Sequence, residues 1–302
     1  MKPFQITAKI ISNKNIKNNY FEIVLLAPEI ARNALPGQFV NIKTSEGFEP
    51  LLRRPLSIHR IGRQSRVASL ESPVASLGSK EGKEIIMLYE VLGKGTQILS
   101  QRRTGEFLDV IGPLGNGFNC YPLSAIRYPP ILIAGGMGTA PLVFLAEKLR
   151  EVKSEKSKGK TLVLIGARTK KDILCEEEFK KLGCEVKIAT DDGSRGFKGY
   201  VSSLLTEILS TVNRQLSTIY ACGPKLLLKE ISRISLEHNI PAQLSLESHM
   251  ACGIGACMGC VIKVTESQSH RVEECSGTTS GRTCLRQQLY PRVCAAIRGC
   301  FS

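Results

Sequence analysis

The sequence predicts a multidomain β and α/β protein: an N-terminal antiparallel β-barrel, a parallel α/β domain and a small C-terminal loop subdomain. Three observations lead there. Short apolar runs broken by Gly, Pro, Asn and Asp fill residues 1–128. Strand and helix patterns alternate over 129–246. Residues 247–302 hold seven of the eleven cysteines. A chain of 302 residues suits two domains plus an appendage better than one small core.

Within the first region the strand candidates are FQITAKIIS, YFEIVLLAP, QFVNIKT, PLSIHRI, EIIMLYEVLG and EFLDVIGPLG. Strands so closely spaced imply a sandwich or barrel. The pattern changes near residue 129, where PPILIAGGMGTAPLVFLAEKLREV reads as a buried strand, a glycine turn and an amphipathic helix. KTLVLIGART and CEVKIATDDG are further strands, and VSSLLTEILS is a helix. STIYACGPKLLLKEISRIS is a strand, turn and helix, and AQLSLESHM a last short strand. Such alternation implies a parallel sheet with helices on both faces.

The formal net charge is +14, from 41 basic and 27 acidic residues. It is spread along the chain apart from a lysine-rich patch at 151–160, and no nucleic-acid motif accompanies it, so a solvated surface is expected rather than nucleic-acid binding. No apolar run of membrane-spanning length occurs, and residues 1–15 carry no secretory signal pattern, so no membrane contact and a cytoplasmic location are expected.

In a reducing compartment clustered cysteines point to metal or redox chemistry, not to a disulfide framework. Cys120, Cys175 and Cys184 are isolated and read as small buried hydrophobes. Cys252, Cys257 and Cys260 are spaced C-x4-C-x2-C, the spacing of plant-type 2Fe-2S sites, which add a distant fourth cysteine. Gly253, Gly255 and Gly259 let the backbone curl so that sulfurs converge and N–H groups point inward. A structural zinc site is the alternative, although zinc sites usually pair two C-x2-C units. Cys275, Cys284, Cys294 and Cys300 all follow, and loop-closure cost rises too slowly with length to choose among them.

ILIAGGMGTAPL runs a strand into Gly135, Gly136 and Gly138, with a helix starting near Thr139 or Pro141. Free N–H groups at such a helix start hold phosphate. The turn is not the usual G-x-G-x-x-G. Arg168, not an acidic residue, follows the second strand and leaves a 2′-phosphate possible. A second turn, Cys222-Gly223-Pro224, ends another strand, where α/β sheets hold ligands. Taken alone, Cys222 reads as a buried thiol. In the β-rich region, an arginine in RRPLSIHR can clamp a pyrophosphate, Ser57 can reach a ring nitrogen, and Gly93, Gly95 and Thr96 of GKGT can offer N–H groups and a hydroxyl.

The order RPLS, GKGT, GPLGNGF, GGMGTAPL, TDDGS, CGP and LESHMACGIGACMGC closely resembles the electron-transfer subunit of two-subunit, NAD-dependent dihydroorotate dehydrogenases, within the ferredoxin–NADP reductase superfamily. The resemblance spans about residues 4–263. It implies an FAD-binding barrel (1–128), an NAD-binding domain (129–246) and a 2Fe-2S subdomain (247–302). It implies that Arg54, Pro55, Leu56, Ser57, Leu88, Tyr89, Glu90, Gly95 and Thr96 hold FAD. On the same resemblance, the Gly135, Gly136, Gly138 and Thr139 turn and Cys222, Gly223 and Pro224 would flank NAD. It implies that Cys252, Cys257 and Cys260 ligate the cluster, with Cys275 or Cys294 as the fourth ligand.

The implied partner is an FMN-containing catalytic subunit in a heterotetramer, with electrons passing from FMN through the cluster and FAD to NAD+ in pyrimidine biosynthesis. Other reductases of the superfamily, such as a ferredoxin–NAD(P) reductase or sulfide dehydrogenase subunit, share these cofactors, and a zinc-stabilised, non-redox nucleotide-binding protein is a third reading. Three features depart from the pattern: Glu90 replaces a basic residue, 62–84 forms a long insertion, and the tail after residue 263 matches neither at VEECSGT nor after RVC (292–294).

Overall fold

Alternating inward and outward side chains dictate the first unit. In β1 (Phe4–Lys17), Ala8 and Ile10 point inward, and β2 (Tyr20–Leu26) contributes Ile23 and Leu25. β3 (Phe39–Ile42), β4 (Arg54–Gly62), β5 (Glu84–Glu90) and β6 (Phe107–Leu114) complete a closed antiparallel barrel in the order β1-β2-β5-β4-β3-β6. Closure leaves no unpaired strand edge. All six expected strands are present; β1 runs further than its apolar pattern, to Lys17, with pairing irregularities at Ile10/Ser12 and Asn15/Lys17. Two short helices, α1 (Pro28–Asn33) and α2 (Lys94–Ser100), were not expected. Each has too few residues to show a 3.6-residue period.

The computed structural model describes residues 2–62, 82–119, 129–152, 159–211, 218–260 and 293–297. Most of the insertion at 62–84, most of the lysine-rich patch, and Cys120, Cys275, Cys284 and Cys300 lie outside the described residues.

The second unit comprises β7 (Ile131–Gly135), α3 (Thr139–Val152), β8 (Leu162–Ala167), α4 (Glu176–Lys181), β9 (Glu185–Thr190) and β10 (Phe197–Lys198). It continues with α5 (Val201–Thr211), β11 (Ile219–Cys222), α6 (Lys225–Glu237) and β12 (Ala242–Leu246), and β13 (Val293–Ile297) joins its edge. The seven strands are all parallel, in the order β10-β9-β8-β7-β11-β12-β13. Strands buried on both faces explain the continuous apolar run of β7: Leu132 and Ala134 face one core with α3, while Ile131 and Ile133 face the other with α5 and α6. β13, α4 and the two-residue β10 had no pattern long enough to read.

The order of the sheet reverses between β7 and β11. Crevices at such a switch point are where open α/β sheets bind ligands. Both glycine turns picked out in the sequence lie there, because β7 ends at Gly135 and β11 at Cys222.

The two units are joined by α3. Its Phe144, 2 % exposed, belongs to the barrel core rather than to the core of its own sheet. Phe144→Ala is expected to cost about 3–5 kcal/mol of stability, seen as a lower urea midpoint; a change within experimental error would show that the barrel does not depend on α3.

Candidate functional site

Across the carboxyl ends of β7 and β11 the sheet faces the barrel over a cleft of about 1240 Å3. The barrel lines it with Pro55, Leu56, Ser57, Leu88, Tyr89, Glu90 and Thr96, the sheet with Gly135, Gly136 and Pro224. All ten are residues the sequence singled out. Glu247, Ser248, His249 and Met250, which lead into the thiol loop, line the same cleft.

Ser57 is the most informative wall residue. It is 7 % exposed, and its Oγ has no hydrogen-bond partner among the described residues. A buried hydroxyl left unpaired costs about 1–3 kcal/mol, so its position fits a polar atom of a ligand in the cleft. The wall around it, with Leu56, Leu88 and Phe39, suits a flat aromatic ring.

Arg54 lies off the cleft wall, with its guanidinium against Gly95. A Cβ at position 95 would sit 2.2 Å from Arg54 Nε, so only glycine allows the approach. Arg54 Nη1 donates to the Leu52 carbonyl at 2.7 Å, which fixes the side chain and leaves donors to spare. This pair fits a pyrophosphate clamp.

Other side chains are occupied within the protein. Thr96 Oγ1 donates to the Gly93 carbonyl at 3.1 Å and accepts from Leu92 N at 3.0 Å, closing the start of α2. Tyr89 donates its hydroxyl to Asn13 Oδ1 at 2.9 Å and stacks on Phe21 at 5.5 Å. Burial pushes its phenol pKa upward despite the bond to Asn13. Glu90 accepts from Asn19 Nδ2 at 2.9 Å, so its carboxylate is held at the cleft wall.

The glycine turns fit together by backbone contact. Gly136 has φ +53° and open space where a Cβ would stand, so its face toward the cleft can take a phosphate. A Cβ at Gly138 would lie 2.0 Å from the Cys222 carbonyl oxygen, and one at Gly223 would lie 3.0 Å from Gly135 N. Thr139 is fully buried and donates to the Gly136 carbonyl at 3.0 Å. Gly138, Thr139, Cys222 and Gly223 thus shape the turn from beneath. The Cys222 thiol itself lies in the apolar core.

Tyr20, Asp172, Asp191 and Tyr200 also line the cleft, beside Arg168. Burial, then Glu90 and Asp172, raises the Tyr20 phenol pKa. Asp191 belonged to the TDDGS motif, but nothing in the sequence marked Tyr20, Asp172 or Tyr200, which reach the cleft from separate turns.

The thiol loop curls as its glycines require, with Gly253 at φ +71°, Gly255 at +88° and Met258 also positive at +60°. Cys257 N donates to Cys252 Sγ at 3.4 Å. Burial opposes the Cys252 thiolate, but N–H groups of Cys257, Ile254 and Ala256 outweigh it and bring the pKa down to about 6. N–H donors aimed at sulfur are what a cluster ligand needs. Cys257 is exposed and Cys260 buried.

The barrel grips this loop. Asn41 Nδ2 donates to the Cys252 carbonyl at 3.2 Å, and a Cβ at Gly253 would meet that nitrogen at 2.4 Å. Asn41 pairs with Pro55 across β3 and β4, next to Ser57. The loop is therefore tied to the strand pair that carries the Ser57 wall, and the residues leading into it line the same cleft as the glycine turn. Of the two candidates for a fourth ligand, Cys294 stands in β13 opposite Gln243, and Cys275 lies outside the described residues.

Cys175 and Cys184 do pack partly against the sheet core as expected, but Cys175 also sits among polar groups, beside His59 and Glu178.

Comparison with known proteins agrees with this geometry. A family model described as the oxidoreductase NAD-binding domain matches residues 132–233. Another, the iron-sulfur cluster binding domain of dihydroorotate dehydrogenase B, matches 247–276. The electron transfer subunit of dihydroorotate dehydrogenase B (NAD(+)) from Desulforamulus reducens is 38% identical over 94% of this chain and 95% of its own. That of Geobacillus sp. is 37% identical over 91% and 95%. Among solved structures, an NADH-dependent reduced ferredoxin-NADP oxidoreductase superposes with a TM-score of 0.66 at 28% identity, covering 84% of this chain and 81% of its own. A ferredoxin-NADP+ reductase from Plasmodium falciparum shares the fold, with a TM-score of 0.58 over 80% of this chain and 96% of its own. This chain belongs to the family of dihydroorotate dehydrogenase B electron transfer subunits.

Proposed function

We propose that the protein is the electron-transfer subunit of a dihydroorotate dehydrogenase and works beside a catalytic subunit that carries FMN. The single observation behind this is one cleft lined by the Ser57 wall, the glycine turn at the switch point and residues 247–250, which lead straight into the thiol loop tied to β3 through Asn41. The bound groups are a 2Fe-2S cluster, which carries single electrons, and FAD, which exchanges a hydride with NAD+.

The chain's own residues hold and orient these groups. Ser57 Oγ, between the apolar Leu56 and Leu88, would donate to the flavin ring, and Pro55 carries the wall toward Asn41. Arg54, seated on Gly95, would pair with the FAD pyrophosphate. Tyr89, Glu90 and Thr96 shape the wall through contacts within the barrel. Gly136 and the start of α3 take the NAD pyrophosphate, and Pro224 bounds the opposite side. The family name specifies NAD+; Asp172 and Asp191 beside Arg168 disfavour an added 2′-phosphate by charge.

Cys252, Cys257 and Cys260 are cluster ligands, and Cys275 is the fourth. The iron-sulfur match takes in Cys275 and stops short of Cys294, whose strand extends the sheet. The barrel domain spans 1–128, the NAD domain 129–246 and the cluster segment 247–302, whose β13 returns to the NAD sheet.

The partner docks over the cluster loop. Ile254 and Met258 on that loop are exposed, as are Phe48 and Leu51 on the segment that leaves β3 just beyond Asn41. The assembly is a heterotetramer in the cytoplasm; no described helix is long and apolar enough to cross a membrane.

The full chain, purified anaerobically, is expected to carry flavin and about two irons. Cys257→Ser and Cys275→Ser should lose iron and sulfide yet keep FAD and NADH-dependent dye reduction, while Cys294→Ser keeps all of them. Iron retained by Cys275→Ser and lost by Cys294→Ser would reverse the ligand assignment. A colourless wild-type chain would end the electron-transfer reading.

Ser57→Ala should slow flavin reduction by NADH about 10–100-fold in stopped-flow measurements, with FAD content unchanged. An unchanged rate would remove Ser57 from the flavin site.

A further inference from the structure

Behind the cleft, His59 of β4 meets Cys175 and Glu178 at the start of α4. One ligand atom of each lies within 4.8 Å of the others. None of the three belongs to the cofactor sites above. His59 is 1 % exposed, and its Nδ1 lies 2.9 Å from the Ala140 carbonyl oxygen of α3. A carbonyl can only accept, so Nδ1 carries hydrogen. The other nitrogen, Nε2, then faces Glu178 Oε2 at 3.0 Å. An imidazole lone pair and a carboxylate oxygen do not approach this closely without a proton or a metal ion between them.

We propose that His59 Nε2, Cys175 Sγ and Glu178 Oε2 form a site for a divalent ion of the zinc class that fastens the barrel to the α/β unit. The donor set is nitrogen, sulfur and oxygen. It suits a borderline-soft ion and not magnesium or calcium, which take oxygen alone. Three protein ligands leave the fourth tetrahedral position to water. The 3.0 Å between Nε2 and Oε2 is close to the ~3.3 Å that two ligands about 2.0 Å from a tetrahedral ion would show. The bond from Nδ1–H to a backbone carbonyl is the usual way a metal-bound histidine is oriented. Cys175 adopts φ +60°, uncommon for a side chain with a Cβ, and its thiol reaches Glu178 and Thr139.

Charge agrees. Arg60 pairs with Glu147 at 2.7 Å and with Glu178 at 3.0 Å, which offsets one of the two carboxylates. A divalent ion offsets the other together with a Cys175 thiolate. The competing arrangement has a proton on Nε2 and a neutral thiol at Cys175, and it balances equally well, so experiment must separate the two.

The position gives the ion a purpose. His59 stands two residues beyond Ser57 on β4, and Ala140 follows the glycine turn at the start of α3. An ion here holds the flavin wall and the nucleotide turn at a set distance, without taking part in electron transfer.

The test uses the full chain with its cofactors, purified anaerobically from zinc-supplemented cells. Zinc and iron are counted on the same sample, and zinc-edge X-ray absorption reads the ligands. The expected result is about one zinc per chain, with a single sulfur neighbour and nitrogen or oxygen for the rest. Cys175→Ser and His59→Gln should each lower zinc content by ~10-fold or more while flavin and iron stay at wild-type levels. Those two contents report that the variants have folded. A wild-type chain without zinc would overturn the proposal. Zinc surrounded by sulfur alone would overturn it too, because that ion would occupy the Cys252 loop.

Discussion

The seating of α3 against the barrel is the interaction on which the rest of the structure depends. The helix springs from the switch point of the sheet, so its first turn forms the floor of the cleft. Further along, Phe144 enters the barrel core, and burying a side chain of that size is worth roughly 1.5–3 kcal/mol. Glu147, one turn on from Phe144, pairs with Arg60 of β4, and the Ala140 carbonyl accepts from His59 of the same strand. One helix is thus held to one barrel strand by apolar and charged contacts. That strand also carries Ser57. The spacing between the Ser57 hydroxyl and the glycine turn on the opposite side of the cleft is therefore fixed by a short, packed path rather than by a linker.

Close backbone approach does for the floor what α3 does for the frame. The Gly138 contact with the Cys222 carbonyl brings the ends of two neighbouring strands together with no side chain between them. This explains why residues singled out as ligand-binding divide into two groups. Gly135, Gly136 and Pro224 face the cleft, while Gly138, Thr139, Cys222 and Gly223 hold them there. A motif read along the chain cannot separate the two, because a side chain that touches a ligand and one that shapes the turn beneath it are adjacent in sequence.

The same reasoning explains what was legible in the sequence. Long periodic elements were: all six barrel strands and the main strands and helices of the sheet follow from alternation and apolar runs. α1, α2 and α4 were not, since six or seven residues carry too little period, and β13 is a five-residue strand far from its neighbour in sequence. In the site, residue types were legible and their partners were not. Thr96 was read as offering its hydroxyl to a ligand and Tyr89 was counted among the ligand-holding residues, yet their hydroxyls bond Gly93 and Asn13. Asn41, which anchors the thiol loop, had no local signal, because its role depends on a residue 211 positions away.

Cysteine shows most clearly how environment, not identity, assigns chemistry. In the thiol loop, backbone N–H groups face Cys252 and favour its thiolate. Cys222 lies among Leu132, Ala134 and Tyr220, where a charged sulfur would be costly, and it serves through its carbonyl instead. Cys175 stands between these extremes. Its burial opposes charge, yet its neighbours are a histidine, a carboxylate and a threonine hydroxyl. Spacing identifies only the first kind, since C-x4-C-x2-C is a local pattern. The other two depend on what β4, α3 and β11 bring alongside, and that is decided by the way the barrel and the sheet pack around a single helix.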